Sequence, residues 1–392
     1  MLDSIHVGVT GLLGYQQGLR VIANNTANLN TPGYKSSTLQ FTDLFYARSP
    51  AGGQGTLDLG HGLGTTGTHL NFRPGDLRST GNDFDLALDG QGMFVLKNEG
   101  GQVRYTRAGQ FDFDAGGTLV HRGDGSKVQG ASAQGQMADI TVAGMRVTPG
   151  KATANAQFTG NLSSTQPEHS VGGLKVFDTA GEERSLTLKF TSNAPATPGS
   201  WKVELLDGAA VVGTSEIVFV DGRATAATNK LVFSYVPAGR LAQELTLHFG
   251  ADATSFASGT LSTLAMASQD GYAPGSLSKV TFDESGTLVA SYTNGQTVKG
   301  PRLALARFPS SDAVRNLGSN LFAAAEGAEW DIGFAGDGGF GAVKAGMLEG
   351  SNVDLSREFS DLVVMQRGYQ ASSQVISTAN DMLQELFGMK RK

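Results

Sequence analysis

Apolar positions recur every seven residues at both ends of this chain and every two residues through most of its middle. Near the start, Ile5, Leu12 and Leu19 form one row, with Tyr15, Ile22 and Leu29 on a companion row. Toward the finish, Leu348, Leu355, Leu362, Tyr369, Ile376 and Leu383 keep the same interval. A 3.5-residue apolar period predicts helices that pack on other helices. Residues 4 to about 29 therefore read as one helix, with Asp3 or Ser4 as its N-cap, and the C-terminal row as its partner. Charge is nearly absent from the first helix: between Met1 and Tyr34 only Asp3 and Arg20 carry it. Gln16, Gln17, Asn24, Asn25, Asn28 and Asn30 crowd what reads as the face opposite the seam. A solvated helix would carry Lys and Glu there, so amides suit a face covered by neighbours.

The segment Asn28-Leu-Asn-Thr-Pro-Gly-Tyr34 ends the helix, because Pro32 cannot continue it and Pro-Gly favours a turn. Strand signals dominate afterwards. Phe84, Leu86 and Leu88 alternate, and Leu186/Leu188/Phe190, Trp201/Val203/Leu205, Leu231/Phe233/Tyr235 and Leu245/Leu247/Phe249 do the same further on. A short echo relates Phe113-Asp-Ala-Gly-Gly-Thr-Leu119 to Phe282-Asp-Glu-Ser-Gly-Thr-Leu288, two hairpins on either side of a long middle segment. One β-domain interrupted by an inserted one accounts for that.

The predicted fold class is mainly β with terminal α-helices. The N- and C-terminal helices pair as a coiled coil, followed by a β-domain that an all-β domain interrupts. The expected parts are 1–30 and 348–392 as paired helices, 31–70 as an extended connector, 71–147 and 283–347 as the first β-domain, and 148–282 as the insert.

Composition narrows the function. The chain has 392 residues, a net charge of −6 and no clustered basic stripe, which disfavours nucleic acid as a partner. It has no cysteine, so disulfides and thiolate metal sites are excluded. No apolar run is long enough for a membrane span, and the first residues lack the pattern of a secretory signal. The basic end, Lys390, Arg391 and Lys392, reads as a complement to the negative end of the last helix.

The search for chemistry is negative. Gly62-Leu-Gly-Thr-Thr-Gly67 and Gly336-Asp-Gly-Gly-Phe-Gly341 have phosphate-loop spacing but not the strand–loop–helix setting that binding requires. The six histidines lack metal-site spacing, and no nucleophile motif occurs. Asp112 and Asp114 resemble a hairpin turn more than a calcium loop. No catalytic residue, cofactor site or metal site is nominated, and the reading is of a protein that is not an enzyme.

Several stretches resemble a known family. Ala23-Asn-Asn-Thr-Ala-Asn-Leu-Asn-Thr-Pro-Gly-Tyr-Lys35 resembles the Asn-rich signature after the first helix of bacterial flagellar rod and hook axial proteins. Ser79 to Phe94, Glu349-Gly-Ser-Asn-Val-Asp-Leu355, Gln366-Arg-Gly-Tyr-Gln-Ala371 and Val375 to Leu383 are similar to its other motifs, in the right order. Length and the large insert favour the hook members; the distal rod is the runner-up, on the wording of Asn30 to Lys35. A secreted β-rich enzyme or adhesin is the competitor from another class.

The resemblance implies a helical polymer of many copies that encloses an export channel and passes torque from rod to filament. It also implies export by the flagellar type III apparatus, with the rod, hook cap and hook–filament junction proteins as partners. The assembly interface is expected on Ile5, Leu12, Tyr15, Leu19, Ile22, Asn24, Asn25, Asn28, Leu29 and Asn30, and on Leu355, Phe359, Leu362, Gln366, Tyr369, Ile376 and Leu383.

Overall fold

A computed structural model describes residues 2–51, 55–131 and 136–389. The chain divides into two compact units: Met1–Ala143 with Val280–Val289 and Lys299–Lys392, and Gly144–Lys279 with Ala290–Val298. The first unit contains both long helices, α1 (Leu2–Ala27) and α2 (Leu355–Met389), which pack against each other.

Helix α1 is already running at Leu2, so Asp3 sits in its first turn rather than capping it. There its carboxylate faces the positive end of the helix dipole. Ser4 is likewise inside the helix. The helix stops at Ala27, which leaves Asn28, Leu29 and Asn30 in the following turns. Gly33 then adopts φ +71°, and a Cβ there would stand 2.5 Å from the Ala108 backbone nitrogen, so glycine is required on both counts.

Helix α2 begins seven residues later than the row of leucines suggests. Leu348 lies in the strand Met347–Glu349, paired with Leu77–Ser79, and helix capping falls to Asp354. The Asp354 carboxylate accepts from the backbone nitrogens of Ser356 and Arg357 at 2.9 and 3.3 Å. The seven-residue interval of Leu348 is therefore coincidental: its side chain is buried under a strand. Lys390, Arg391 and Lys392 lie outside the described residues.

The two helices meet through glycine as much as through leucine. On α1 the buried positions are Gly8, Gly11, Gly14, Gly18, Ile22 and Asn25, while Ile5, Leu12 and Leu19 flank them half-buried. A Cβ on Gly8 would come within 2.7 Å of Ile376, and one on Gly11 within 2.6 Å of the Ser372 hydroxyl. From the other side, Gly368 leaves room for the Tyr15 ring, whose carbons would stand 2.5 Å from a Cβ there. Small residues let the backbones approach, and the larger apolar side chains are displaced to the margins.

Between α1 and the β-structure, Ser37–Asp43 pairs antiparallel with Leu63–Leu70, with a bulge between Gln40 and Phe41. This hairpin lies along α1. Phe41 and Leu63 approach Gly14, the Leu63 nitrogen donates to Thr10 Oγ1 at 3.2 Å, and the Thr65 hydroxyl donates to Gln17 at 2.8 Å. The main sheet of this unit runs in the order Thr297–Arg307, Lys127–Ala131, Met93–Lys97, Val103–Thr106, Leu321–Ala324 and Val314–Gly318. The two echoed turns are built alike: Asp114 N bonds Thr118 O at 2.9 Å, and Asp283 N bonds Thr287 O at 3.0 Å.

The second unit is all β. A nine-stranded sheet contains Glu168–Phe177, Glu183–Ser192, Ser200–Asp207 and Ala210–Val220 as an antiparallel run. In the same sheet Asn155–Asn161 pairs parallel with Gln243–Thr254. The alternating residues of its strands meet in one core around Trp201, Phe158, Phe190, Phe249 and Tyr235.

The glycine contact is testable. Gly11→Leu or Gly368→Leu overpacks the helix pair and should cost about 1–3 kcal/mol each. Denaturation followed by circular dichroism should show helix lost earlier in both. Gly388→Ala, where a Cβ meets nothing within 4 Å, should leave the helix transition unchanged.

Candidate assembly interface

At the root of the helix pair the sequence motifs converge on one carboxylate. Glu349 is buried, and its Oε1 accepts from Lys35 Nζ at 2.6 Å and from the Gly75 nitrogen at 2.9 Å. Its Oε2 accepts from Arg107 Nε at 2.6 Å, and its backbone oxygen accepts from the Gly33 nitrogen at 2.8 Å. The side chains of Lys35, Arg107 and Glu349 are 1%, 4% and 0% exposed. The remaining donors find carbonyls: Lys35 reaches Arg73 O at 2.8 Å, and Arg107 reaches Gly92, Gly90 and Leu88 at 2.6, 3.0 and 3.2 Å. Burial pulls the Lys35 amine below the ordinary lysine range, Glu349 opposes that shift, and the neighbouring Arg107 adds to it.

A second polar knot joins the helices directly. Asn25, 1% exposed, donates to Glu358 at 3.0 Å and to Ser37 O at 2.8 Å. Its oxygen accepts from Ser37 N at 3.0 Å and from the Tyr34 hydroxyl at 3.1 Å, so all its bonding capacity is used. Asn24 donates to the Tyr34 hydroxyl at 2.9 Å, and Asn28 folds back on Asn24. Asn352 closes the same region, accepting from Ser36 N and donating to Asn71 O and Arg73 O. Burial raises the Glu358 carboxyl above the ordinary range, and the Asn25 bond only partly offsets this. Burial, then Glu358, raises Tyr34.

The nominated residues therefore divide into groups. Tyr15 and Ile376 lie at the helix contact, against Gly368 and Gly8; Ile22 is buried, and Leu355, Leu362 and Leu383 are half-buried, as are Ile5, Leu12 and Leu19. Asn25 is not on an outward face, as the sequence pattern suggested, but inside, because its amide satisfies a buried turn and Glu358. Leu29 and Asn30 leave the helix and, with Leu348, line a small cavity of about 250 Å³ at its base. Phe359 and Tyr369 point outward, 56% and 41% exposed, and Gln366 is exposed as well. Around them Leu13, Val364, Phe387 and Met389 are 56%, 60%, 63% and 73% exposed. Sequence reading nominated none of Lys35, Arg107 or Glu349, although Lys35 and Glu349 stand inside the recognised motifs.

The segments that build the helix pair, and part of the β-structure beside it, are matched by family models of axial proteins of the bacterial flagellum. The chain matches "Flagella basal body rod protein" over residues 5–35, "Flagellar hook protein FlgE/F/G D1 domain" over 87–158 and "Flagellar basal body rod FlgEFG protein C-terminal" over 344–389. It is 31% identical to the flagellar hook protein FlgE of Brucella abortus, over 99% of this chain and 98% of that one. It is 29% identical to the FlgE of Salmonella typhimurium, over 99% and 100%. The solved flagellar hook protein FlgE2 of Helicobacter pylori shares the fold at a TM-score of 0.51 and 14% identity, over 71% of this chain and 100% of that one. The chain belongs to the flagellar hook protein FlgE family and is a structural subunit of the hook.

Glu349→Gln would leave Lys35 and Arg107 buried without a counter-charge. A loss of about 3–5 kcal/mol is expected, readable by calorimetry as a lower melting temperature of the first unit. Glu358 behaves oppositely. Because its folded-state pKa is raised, stability is full below the ordinary carboxylate pKa and falls as pH climbs through the raised value. Glu358→Gln should therefore stabilise the helix pair at neutral pH and flatten its pH dependence in the weakly acidic range. Melting curves at several pH values in which the variant keeps the parent's slope would show that ionising this carboxyl costs the fold nothing.

Proposed function

We propose that this subunit polymerises through its two terminal helices into the inner wall of a curved tube, which transmits torque from rod to filament and encloses the export channel. The division of labour is 1–30 and 348–392 for the inner tube, 31–70 as the connecting segment, 71–147 with 283–347 as the first β-domain, and 148–282 as the outer domain. Export through the flagellar type III apparatus, and contacts with rod, hook cap and hook–filament junction proteins, belong to the same reading.

The observation that carries it is the apolar surface of the helices. Phe359, Val363, Val364, Val375, Phe387 and Met389 on α2, with Val9 and Leu13 on α1, are between 40% and 73% exposed in the single chain. Apolar side chains at this density on a charge-poor helix pair call for cover from other copies. Burying one stabilises by about 1.5–3 kcal/mol. The nominated residues then have two duties: Tyr15, Ile22, Leu362 and Ile376 hold α1 to α2, and Phe359, Gln366 and Tyr369 meet the neighbouring copy.

Phe359→Asp and Val364→Asp separate those duties, because both positions are exposed in the monomer. Each should leave monomer melting unchanged and raise the concentration needed for polymerisation roughly tenfold or more. Negative-stain microscopy of concentrated protein would count tubes; normal tube formation by both variants would remove these residues from the interface.

A further inference from the structure

The main sheet of the first unit ends in a hairpin, Val314–Gly318 with Leu321–Ala324, whose inner strand pairs with Val103–Thr106. Ser319 and Asn320 form its loop, with φ values of +53° and +57°. Positive φ at both residues of a two-residue loop is the requirement of a type I′ turn, which favours Asn, Asp or Gly first and Gly second. This loop breaks that rule. Serine stands where asparagine would serve better, and asparagine stands where glycine would, although left-handed backbone costs a residue with a Cβ more than it costs glycine. Local rules are broken where a side chain gives something in return.

Asn320 gives a bond to a distant segment. Its Nδ2 donates to Pro32 O at 2.9 Å, 288 positions away, in the turn that follows α1. Its backbone oxygen accepts from the Thr106 hydroxyl at 2.9 Å, and that hydroxyl accepts from the Ala108 nitrogen at 3.0 Å. Thr106 is fully buried. Ala108 is also the residue on which Gly33 packs too closely to admit a Cβ. The turn after α1 is thus held at Pro32 by Asn320 and at Gly33 by Ala108, and Thr106 ties the two holds together. Among the described residues, none of the groups bonded to Lys35, Arg107 or the Glu349 carboxylate comes from this hairpin, so the Asn320 bond is a separate fastening.

We propose that Asn320 is a positioning residue for assembly: it clasps the turn after α1 to the edge of the main sheet and so sets the angle at which the helix pair leaves the β-structure. Copies that present their helices at one angle can repeat one contact, as an open helical polymer requires. That use rests on the polymer reading above, whereas the clasp belongs to the single chain, so the two can fail separately.

The chain has no cysteine, so two introduced thiols take spin labels without competition. Ala23→Cys on α1 and Glu99→Cys on the turn after Met93–Lys97 are both exposed positions outside the clasp. Pulsed electron resonance on the dilute chain reads the distance between them. One narrow distance is expected in the parent and in Ser319→Gly, which eases the loop and keeps the bond. Asn320→Gly eases the loop but loses the bond, and Asn320→Asp keeps the shape but loses the donor. Both should lose the narrow distance, while calorimetry shows the first unit of Asn320→Gly melting no lower than the parent. A narrow distance kept by both variants, a broad one already in the parent, or a broadening matched by lower melting in Asn320→Gly would overturn the proposal. Normal tubes from variants that have lost the narrow distance would overturn it too, because neighbouring copies would then set the angle. Absence of tubes from the unsubstituted chain removes the polymer reading and leaves the clasp to the distance measurement.

Discussion

The structure depends on a single carboxylate that cannot be left unpaired. Glu349 lies in the interior between two cations, and taking any of these charges out of water costs several kcal/mol unless partners replace the solvent. The replacement is complete. Lys35 and Arg107, the Gly75 nitrogen and the carbonyls of Leu88, Gly90, Gly92 and Arg73 supply it between them, while the Gly33 nitrogen holds the Glu349 backbone oxygen. Those groups come from the turn after α1, the start of the β-domain and the approach to α2. Charge satisfaction therefore brings residues hundreds of positions apart to one point, and the segments around it have one mutual register. An apolar cluster of equal volume could be as stable, but it would tolerate sliding. The geometry of directed bonds does not.

That anchoring explains why the helix contact can be built from glycine. A seam of large side chains would hold the helices by buried area alone. Here Gly8, Gly11 and Gly18 on one side and Gly368 on the other bring the backbones together, and the root fixes their direction. The pair is thin, so much of its apolar content, including Leu13, Val364 and Phe387, remains on the surface. A helix pair that spends little of its hydrophobicity on itself retains more for its neighbours.

Much of this was legible in the sequence. The two helices, the period-2 strands with Trp201, Phe190 and Phe249 inward, and the paired hairpin turns follow from spacing alone. The misreadings share one cause. Periodicity counts large apolar residues, so it assigned the seam to Ile5, Leu12 and Leu19, gave glycine no weight and enlisted Leu348, which a strand buries. Asn25 was read as outward because an amide is polar, although its four hydrogen bonds suit it to the interior. The Lys35–Glu349 pair was illegible for a different reason. Its members are 314 positions apart, and nothing local to either says that the other is its partner. What the sequence did offer was the oddity of charged residues inside motifs otherwise made of turn formers.

A rigid root and an adhesive helix surface also need each other. Association loses translational and rotational freedom, and any helix that must order at the same moment adds to that loss. Where the root holds the pair in one direction before contact, more of the energy of burying Phe359 or Val364 remains for association. A loosely tethered pair with the same surface would still be sticky, but its contacts would have no common geometry and would lead to aggregates. On the proposed polymer, order along the filament would follow from where the buried charge sits, and the exposed apolar residues would supply the attraction.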